Sequence, residues 1–407
     1  MTLEEAQTLD AADPLAFARA RFALPDGVVY LDGNSLGALP KATAARIDET
    51  VQRQWGQDLI TSWNKHGWID APTRVAARLA PIVGAKPNEL LIADSTSVCL
   101  FKLLAAAVTA RPGRTTILTE RRNFPTDLYV AQGLVELNPG LRLRTVDRAE
   151  LASSIDDDTG VLYLTQTDFC SGERHDMAAL NAAARAAGAL TLWDLSHSAG
   201  AFAVHLDDSG CDLAVGCGYK YLNGGPGAPA FLFVAEQLQA ELRSPIAGWM
   251  GHSVPFAFDG DYRPAPGIAR FLTGTPSILA LAALEAGIAT FDGVAMADIE
   301  AKSAALTRFF IDEVEAHCPE LQLASPRDPA QRGSQVGFTH PQAYPIMQAL
   351  IARGIIGDFR APDLVRFGFA PLYNRFEDAW RAAAVLAEIM TAREWDQPQF
   401  HARQKVT

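Results

Sequence analysis

The sequence predicts an α/β chain: a large domain on a mostly parallel sheet with helices on both faces, plus a smaller α+β domain. Three observations predict it. Between about residues 90 and 235, short β-rich runs alternate with Ala-rich helical stretches, the pattern of βαβ units. Residues 240–275 are rich in Pro and Gly and resist regular assignment. The last hundred or so residues mix helical stretches with short strands.

Strands are read at 115–119 (TTILT), 161–165 (VLYLT), 189–194 (ALTLWD), 213–217 (LAVGC) and 230–234 (AFLFV). The stretch 175–189, HDMAALNAAARAAGA, reaches Gly188, and its excess of Ala and Leu suits a crossover helix lying close on a sheet. Such crossovers are right-handed by default. Residues 240–275 form one long functional loop. A helix from near Pro276 to about Thr290 then leads out of the large domain. Beyond it come a helix at 299–317, a strand at 334–340, a helix at 345–354 and a strand at 364–371. The resulting division places 53–292 in the large domain, with 1–52 and 293–407 in the small one.

Composition narrows the function. The 407 residues are 49% hydrophobic and 20% charged, an ordinary globular balance. A net charge of -12 without clustered Lys and Arg argues against a nucleic-acid partner, since phosphates must be neutralised. The longest mostly apolar stretch, 278–291, carries Glu285 and is shorter than the roughly 20 residues that span a bilayer, so no membrane insertion is expected. The start, MTLEEAQTLD, is acidic and lacks an apolar signal region, which makes the cytoplasm the expected compartment. Five cysteines without a C-x-x-C pair suit neither a disulfide framework nor a zinc site, and no metal is expected.

The most informative segment is GCGYKYLNGGPG, 216–227, directly after an apolar strand. A lysine that leaves a buried strand for a glycine-rich turn between two tyrosines is badly placed for a charge unless it has a partner. Lys220 can find one by condensing with an aldehyde, because desolvation makes its neutral amine available. Upstream, TLWDLSHSAG ends a strand at Asp194, at the carboxyl end where ligands of open α/β sheets bind. A carboxylate there can pair with a protonated pyridine nitrogen, or simply cap a helix. His197 lies one turn later and can bond either Asp194 or a ring substituent. Thr96 and Ser97 open an apolar helix whose free N–H groups suit a phosphate, although N-capping accounts for the same residues. Phe124, before Pro125 at a helix start, can stack on a ring or fill the core.

These segments together resemble the kynureninases of bacterial type, within the aspartate-aminotransferase-like group of pyridoxal-phosphate enzymes. The resemblance runs nearly end to end, through VVYLDGNSLGALP (28–40), SWNKHGW (62–68), RRNFPTDLY (121–129), WDLSHSAGA (193–201), GYKYLNGGPG (218–227), GWMGH (248–252), FLTGTPS (271–277) and VRFGFAPLYNRFED (365–378). It implies the fold type I architecture of that group and pyridoxal 5'-phosphate as cofactor. Lys220 would be the Schiff-base lysine, Asp194 the partner of the pyridine nitrogen and Phe124 the stacking ring. Thr96, Ser97, Asp127, Ser171, His197 and Tyr219 would complete the cofactor shell, with Tyr219 a proton carrier or a phosphate ligand.

Trp249 and Thr275 would reach the phosphate from a neighbouring subunit, so a homodimer with shared sites is expected. Arg366 would grip the α-carboxylate of L-kynurenine. Animal relatives that favour the 3-hydroxylated substrate carry a histidine in place of Trp63 and Ser-Asn in place of Gly274-Thr275. Kynurenine itself is therefore the expected substrate, cleaved to anthranilate and L-alanine in tryptophan degradation. The middle of TQTDFCSGERHD departs from the family pattern at Asp168, Phe169 and Cys170. Two alternatives remain: a cysteine desulfurase-like lyase, for which Cys318 is the only cysteine in the last third, and a non-catalytic relative.

Overall fold

The computed structural model describes residues 2–258 and 260–403. The chain opens with helix α1 (Leu3–Ala11), strand β1 (Val29–Tyr30) and helices α2 (Ala42–Asp48), α3 (Ser62–Lys65) and α4 (Ala71–Val83). The large sheet and its helices follow as β2 (Leu90–Ala93), α5 (Thr96–Thr109), β3 (Thr116–Glu120), α6 (Pro125–Leu137), β4 (Arg142–Val146), β5 (Thr159–Thr165), α7 (Met177–Ala187), β6 (Leu190–Asp194), β7 (Leu213–Gly216) and β8 (Ala230–Val234). After a long run of turns come α8 (Ile278–Ile288), α9 (Met296–His317), β9 (Gln322–Leu323), β10 (Gln335–Thr339), α10 (Ala343–Ala352), β11 (Ile355–Ile356), β12 (Asp358–Arg360), β13 (Leu364–Gly368) and α11 (Phe376–Ala392).

The large sheet has the order β2-β8-β7-β6-β5-β3-β4. The five strands from β7 to β4 are parallel, and β8 is antiparallel to both β7 and β2. The reason is the glycine-rich turn after β7, which returns the chain without a crossover helix. Every residue of β5, β6, β7 and β8 is buried, as happens only when both faces of a sheet are covered. Helix α5 packs along β5 to β8, and α7 packs on β5 and β6. Ser95 caps α5 through the Val98 amide, and Asp176 caps α7 through the Ala179 amide at 3.0 Å. At its other end α7 stops at Gly188, whose φ of 79° is open to glycine and strained for other residues.

Strands β2 and β4 have no counterpart among the sequence expectations. β2 has only 4 residues, and β4 is an edge strand whose arginines alternate with apolar residues and pair with Asp158 and Asp156. Among the described residues of the expected loop at 240–275, the only helical elements are short 3₁₀ turns at Trp249–Gly251 and Gly267–Phe271.

A second, antiparallel sheet of order β12-β13-β10-β9 lies against α9 and α10, and α11 packs on both of those helices. Its core centres on Phe310, whose ring is 4.9 Å from Phe367 and 5.2 Å from Phe369. The N-terminal segment serves both cores. Ala6, Val29 and Leu31 join the Phe310 cluster, while Leu15, Ala18, Phe22 and Ala38 join the core of the large sheet.

Candidate active site

Chain order runs outward from β3 to β4 and then, through β5, β6 and β7, the other way. The crevice at such a reversal, beyond the carboxyl ends of the strands, is where open α/β sheets bind ligands. A cavity of about 220 Å³ sits there, lined by Thr96, Ser97, Phe124, Asp127, Asp194, His197, Tyr219 and Lys220 among others. Eight of the residues singled out in the sequence thus meet in one place.

Asp194 ends β6, is 3% exposed, and accepts the Ser196 amide at 2.7 Å. Burial holds its carboxyl above the usual range. Asp127, from the first turn of α6, is 1% exposed and lies 2.9 Å from the Thr165 hydroxyl. Burial, and then the neighbouring Asp194, push it well above the usual range. Lys220 Nζ lies 5.9 Å from the centre of the Phe124 ring and 5.8 Å from that of Tyr219. It has no hydrogen-bond or ion-pair partner among the described residues. Burial, then Lys220 and Arg366, hold the His197 imidazole well below its usual range. The Phe124 ring is braced edge-on by Phe169, 5.2 Å between centres.

The LDGNSLG segment explains how distant parts of the chain are held around this cavity. The Gly37 amide donates to the Tyr219 carbonyl at 2.8 Å, and a side chain at Gly37 would collide with the Lys220 carbonyl and Asn223. At its other end Leu31 accepts the Gly368 amide, and a side chain at Gly368 would strike Asn34. One short segment therefore spaces the Lys220 turn from β13.

The other singled-out residues lie elsewhere. Arg366, on β13, is 1% exposed and sits behind Phe169 rather than on the cavity wall. Its Nε donates to Asp358 Oδ1 at 2.7 Å, Nη2 to Asp358 Oδ2 and, at 3.2 Å, to Ser35 Oγ, and Nη1 to the Phe169 carbonyl. Ser171 does not line the cavity: its hydroxyl and amide both turn to Asp168, at 2.8 and 2.6 Å, because Asp168 caps that turn. Trp249 lies in a separate groove with His252, Phe258 and Tyr262, its ring 5.7 Å from Phe256. Gly274 and Thr275 line a further cavity of about 290 Å³ beside Asp94. The Trp63 ring meets Trp68 edge-on at 6.0 Å.

Sequence reading missed Phe169, Gln335, Ser35 and Asp358. A signal existed for the last of these: Asp358 and Arg366 are cross-strand partners in the β12–β13 hairpin, so opposite charges face each other. Gln335 is a polar residue opening an apolar strand, which by itself signals nothing.

Comparison with known proteins now decides the family. A kynureninase from Burkholderia mallei is 49% identical over 414 residues, covering 100% of both chains, and one from Pseudomonas fluorescens matches equally over 414 residues at 49%. The chain belongs to the kynureninase family. The family model for the kynureninase C-terminal domain matches residues 299–386. Among solved structures, an apo cysteine desulfurase from Thermococcus onnurineus superposes with a TM-score of 0.79 at 20% identity, over 93% of this chain and 98% of that one. A C-DES mutant with glycine covalently linked to its PLP cofactor also reaches 0.79, at 18% identity, over 91% and 99%. These likenesses carry the fold type I architecture alone. No cysteine lines the Lys220 cavity among the described residues, and Cys318 is fully buried, with burial first, then Glu320, pushing it up to about 12.

Proposed function

We propose that this chain hydrolyses L-kynurenine to anthranilate and L-alanine with pyridoxal phosphate held on Lys220. The observation that carries the reading is an unpartnered lysine sharing a buried cavity with two carboxylates, in a chain 49% identical to kynureninases along its length. These residues fit the cofactor. Asp194 stays raised by burial although Lys220 is near, so a protonated pyridine nitrogen would give it a cation, with Asp127 beside it in the same shell. Phe124 offers a braced aromatic face, and Thr96 and Ser97 open the 14-residue helix α5, where a phosphate is favoured. When bound, the cofactor supplies an electron sink for the substrate carbanion.

The chain's own residues do the rest. The Lys220 amine would act as the general base that takes the α-proton of bound substrate. Tyr219, beside it, carries a proton or binds the phosphate. His197 bonds within the cofactor shell, and Arg366, held by Asp358 behind Phe169 in this structure, would meet the α-carboxylate once Phe169 moves aside. Ser171 acts on this shell only through the Asp168 turn. The chain divides into 53–292 and a smaller unit of 1–52 with 293–407, although Leu15, Ala18 and Phe22 also pack on the large core.

The enzyme acts as a cytoplasmic homodimer, with no nucleic-acid partner, and Trp249 and Thr275 complete the site of the other subunit. No single helix among the described residues is long and apolar enough to cross a membrane. What supports the dimer is that Trp249 and Thr275 lie away from the Lys220 cavity of their own chain. Mixing a Lys220→Ala protein with a Trp249→Ala protein should restore activity in hybrids, and full activity from a monomer would refute shared sites.

The direct test is purified protein with added cofactor. A coloured adduct that borohydride locks onto Lys220, together with anthranilate release from L-kynurenine, is expected. An adduct on another lysine, or a colourless protein that releases no anthranilate, would overturn the reading.

A further inference from the structure

Gln335 opens strand β10 and is 1% exposed. Its amide has one orientation that satisfies both of its neighbours. Nε2 donates to the Asp168 carbonyl at 2.9 Å, an oxygen that can only accept. Oε1 therefore faces His197 Nδ1, 2.7 Å away, and that short contact needs a hydrogen on Nδ1. Burial, with Lys220 and Arg366 nearby, keeps the imidazole neutral. A neutral ring with its hydrogen on Nδ1 has a bare lone pair at Nε2. Nε2 has no hydrogen-bond partner among the described residues, and His197 lines the Lys220 cavity.

We propose that Gln335 is a positioning residue that fixes the Nδ1-protonated tautomer of His197, so that Nε2 serves the bound cofactor as a hydrogen-bond acceptor. The identity of what Nε2 meets rests on the kynureninase reading, whereas the tautomer is a property of the chain alone. Gln335 also ties the small sheet to the 166–175 segment through Asp168 and to the end of β6 through His197. A shift of β10 against the large sheet would loosen the ring that Gln335 holds. Neither partner of that hold is exposed: His197 is 5% and Gln335 1% accessible, so water does not compete for Nδ1.

The test uses full-length apo protein labelled with ¹⁵N-histidine, in which long-range proton–nitrogen spectra report which ring nitrogen carries hydrogen. The His197 signal is the one lost in His197→Asn. Wild type should show Nδ1 protonated and Nε2 bare. Gln335→Glu, which keeps an acceptor, should leave Nδ1 protonated. Gln335→Met, of similar volume but with no acceptor, should admit the Nε2-protonated form and weaken binding of pyridoxal phosphate to the apo protein by about three- to tenfold. A wild-type spectrum with hydrogen on Nε2 overturns the proposal, whatever the variants do. So does a folded Gln335→Met protein with the wild-type tautomer. The expected spectra in a protein that never releases anthranilate would leave the tautomer standing and remove the kynureninase reading instead.

Discussion

Two buried groups of charge lie close together in this molecule and are built on opposite principles. Around Lys220, the carboxyls of Asp127 and Asp194 are held above their usual range by burial, and the amine has no partner among the described residues. Behind Phe169, Asp358 takes two nitrogens of Arg366 and one of Arg360, with the Ser35 hydroxyl at 3.1 Å. Burial pushes Asp358 up, yet Arg366 outweighs it and the carboxyl stays below its usual range. Satisfied charge holds structure, whereas charge left short of partners waits for a ligand. The two sets should therefore respond to substitution in opposite ways.

The largest expected effect is on the unsatisfied side. Lys220→Ala should lower anthranilate release by about 10²- to 10⁴-fold, since α-proton removal needs its amine. The protein should still take up cofactor without a covalent bond, as equilibrium dialysis would show. Turnover near the wild-type rate would remove Lys220 from the chemistry.

Next comes a pair of variants that tests the contrast itself. Asp358→Asn should destabilise the apo protein by about 3 kcal/mol, because it strips a buried, hydrogen-bonded guanidinium of its counter-charge. Asp194→Asn should leave the apo stability unchanged or raise it, while cofactor binding weakens by more than about tenfold. Denaturant titration reads both. Equal losses of stability would mean that the two sets of charge are alike after all.

A smaller effect concerns the substrate. If Trp63, Gly274 and Thr275 face the kynurenine ring in the assembled dimer, a 3-hydroxyl group would be desolvated there with little return. L-Kynurenine should then be preferred over its 3-hydroxylated form by roughly tenfold in kcat/KM. A Trp63→His, Gly274→Ser, Thr275→Asn variant should shift that ratio toward the hydroxylated substrate. An unmoved ratio would leave the three residues as packing.

The smallest effect is a pH slope at the edge of the satisfied set. Asp32 is raised to about 7, first by burial and then by Asp358. In the unfolded chain an aspartate ionises near 4, so from about pH 4 to about 7 the folded state holds the extra proton. Its contribution to stability is present below that window and is lost as pH rises through it. Asp32→Asn should thus become steadily more stable relative to wild type between pH 4 and 7, by less than about 1.4 kcal/mol per pH unit. A constant difference across that range would show that Asp32 ionises normally.

Much of this site was legible because its signals are local. A lysine in a glycine-rich turn after an apolar strand, and an aspartate ending the strand before it, carry their chemistry within a few residues each, and Lys220 and Asp194 meet as expected on one cavity. The crossover pattern between 90 and 235 likewise carries the sheet, because strand and helix periodicities differ. The antiparallel β8 was not legible, since its direction depends on how the 217–229 turn closes.

What the sequence by itself determined is the α/β architecture, the lysine–aspartate pair and, through segments spread from 28 to 378, the family. Tertiary structure alone decided which charges are satisfied. Asp358, Gln335 and Asp194 each sit at a strand terminus, and although the string marks Asp194 for a ligand and sets Asp358 near Arg366, it does not say which of the three the folded chain satisfies. Only the fold sets Asp358 against Arg366 and Gln335 against His197 while leaving Asp194 in a cavity beside Lys220. The physical reason is that burial raises the cost of a charge everywhere, but the partner that offsets it comes from a distant part of the chain, or from the ligand.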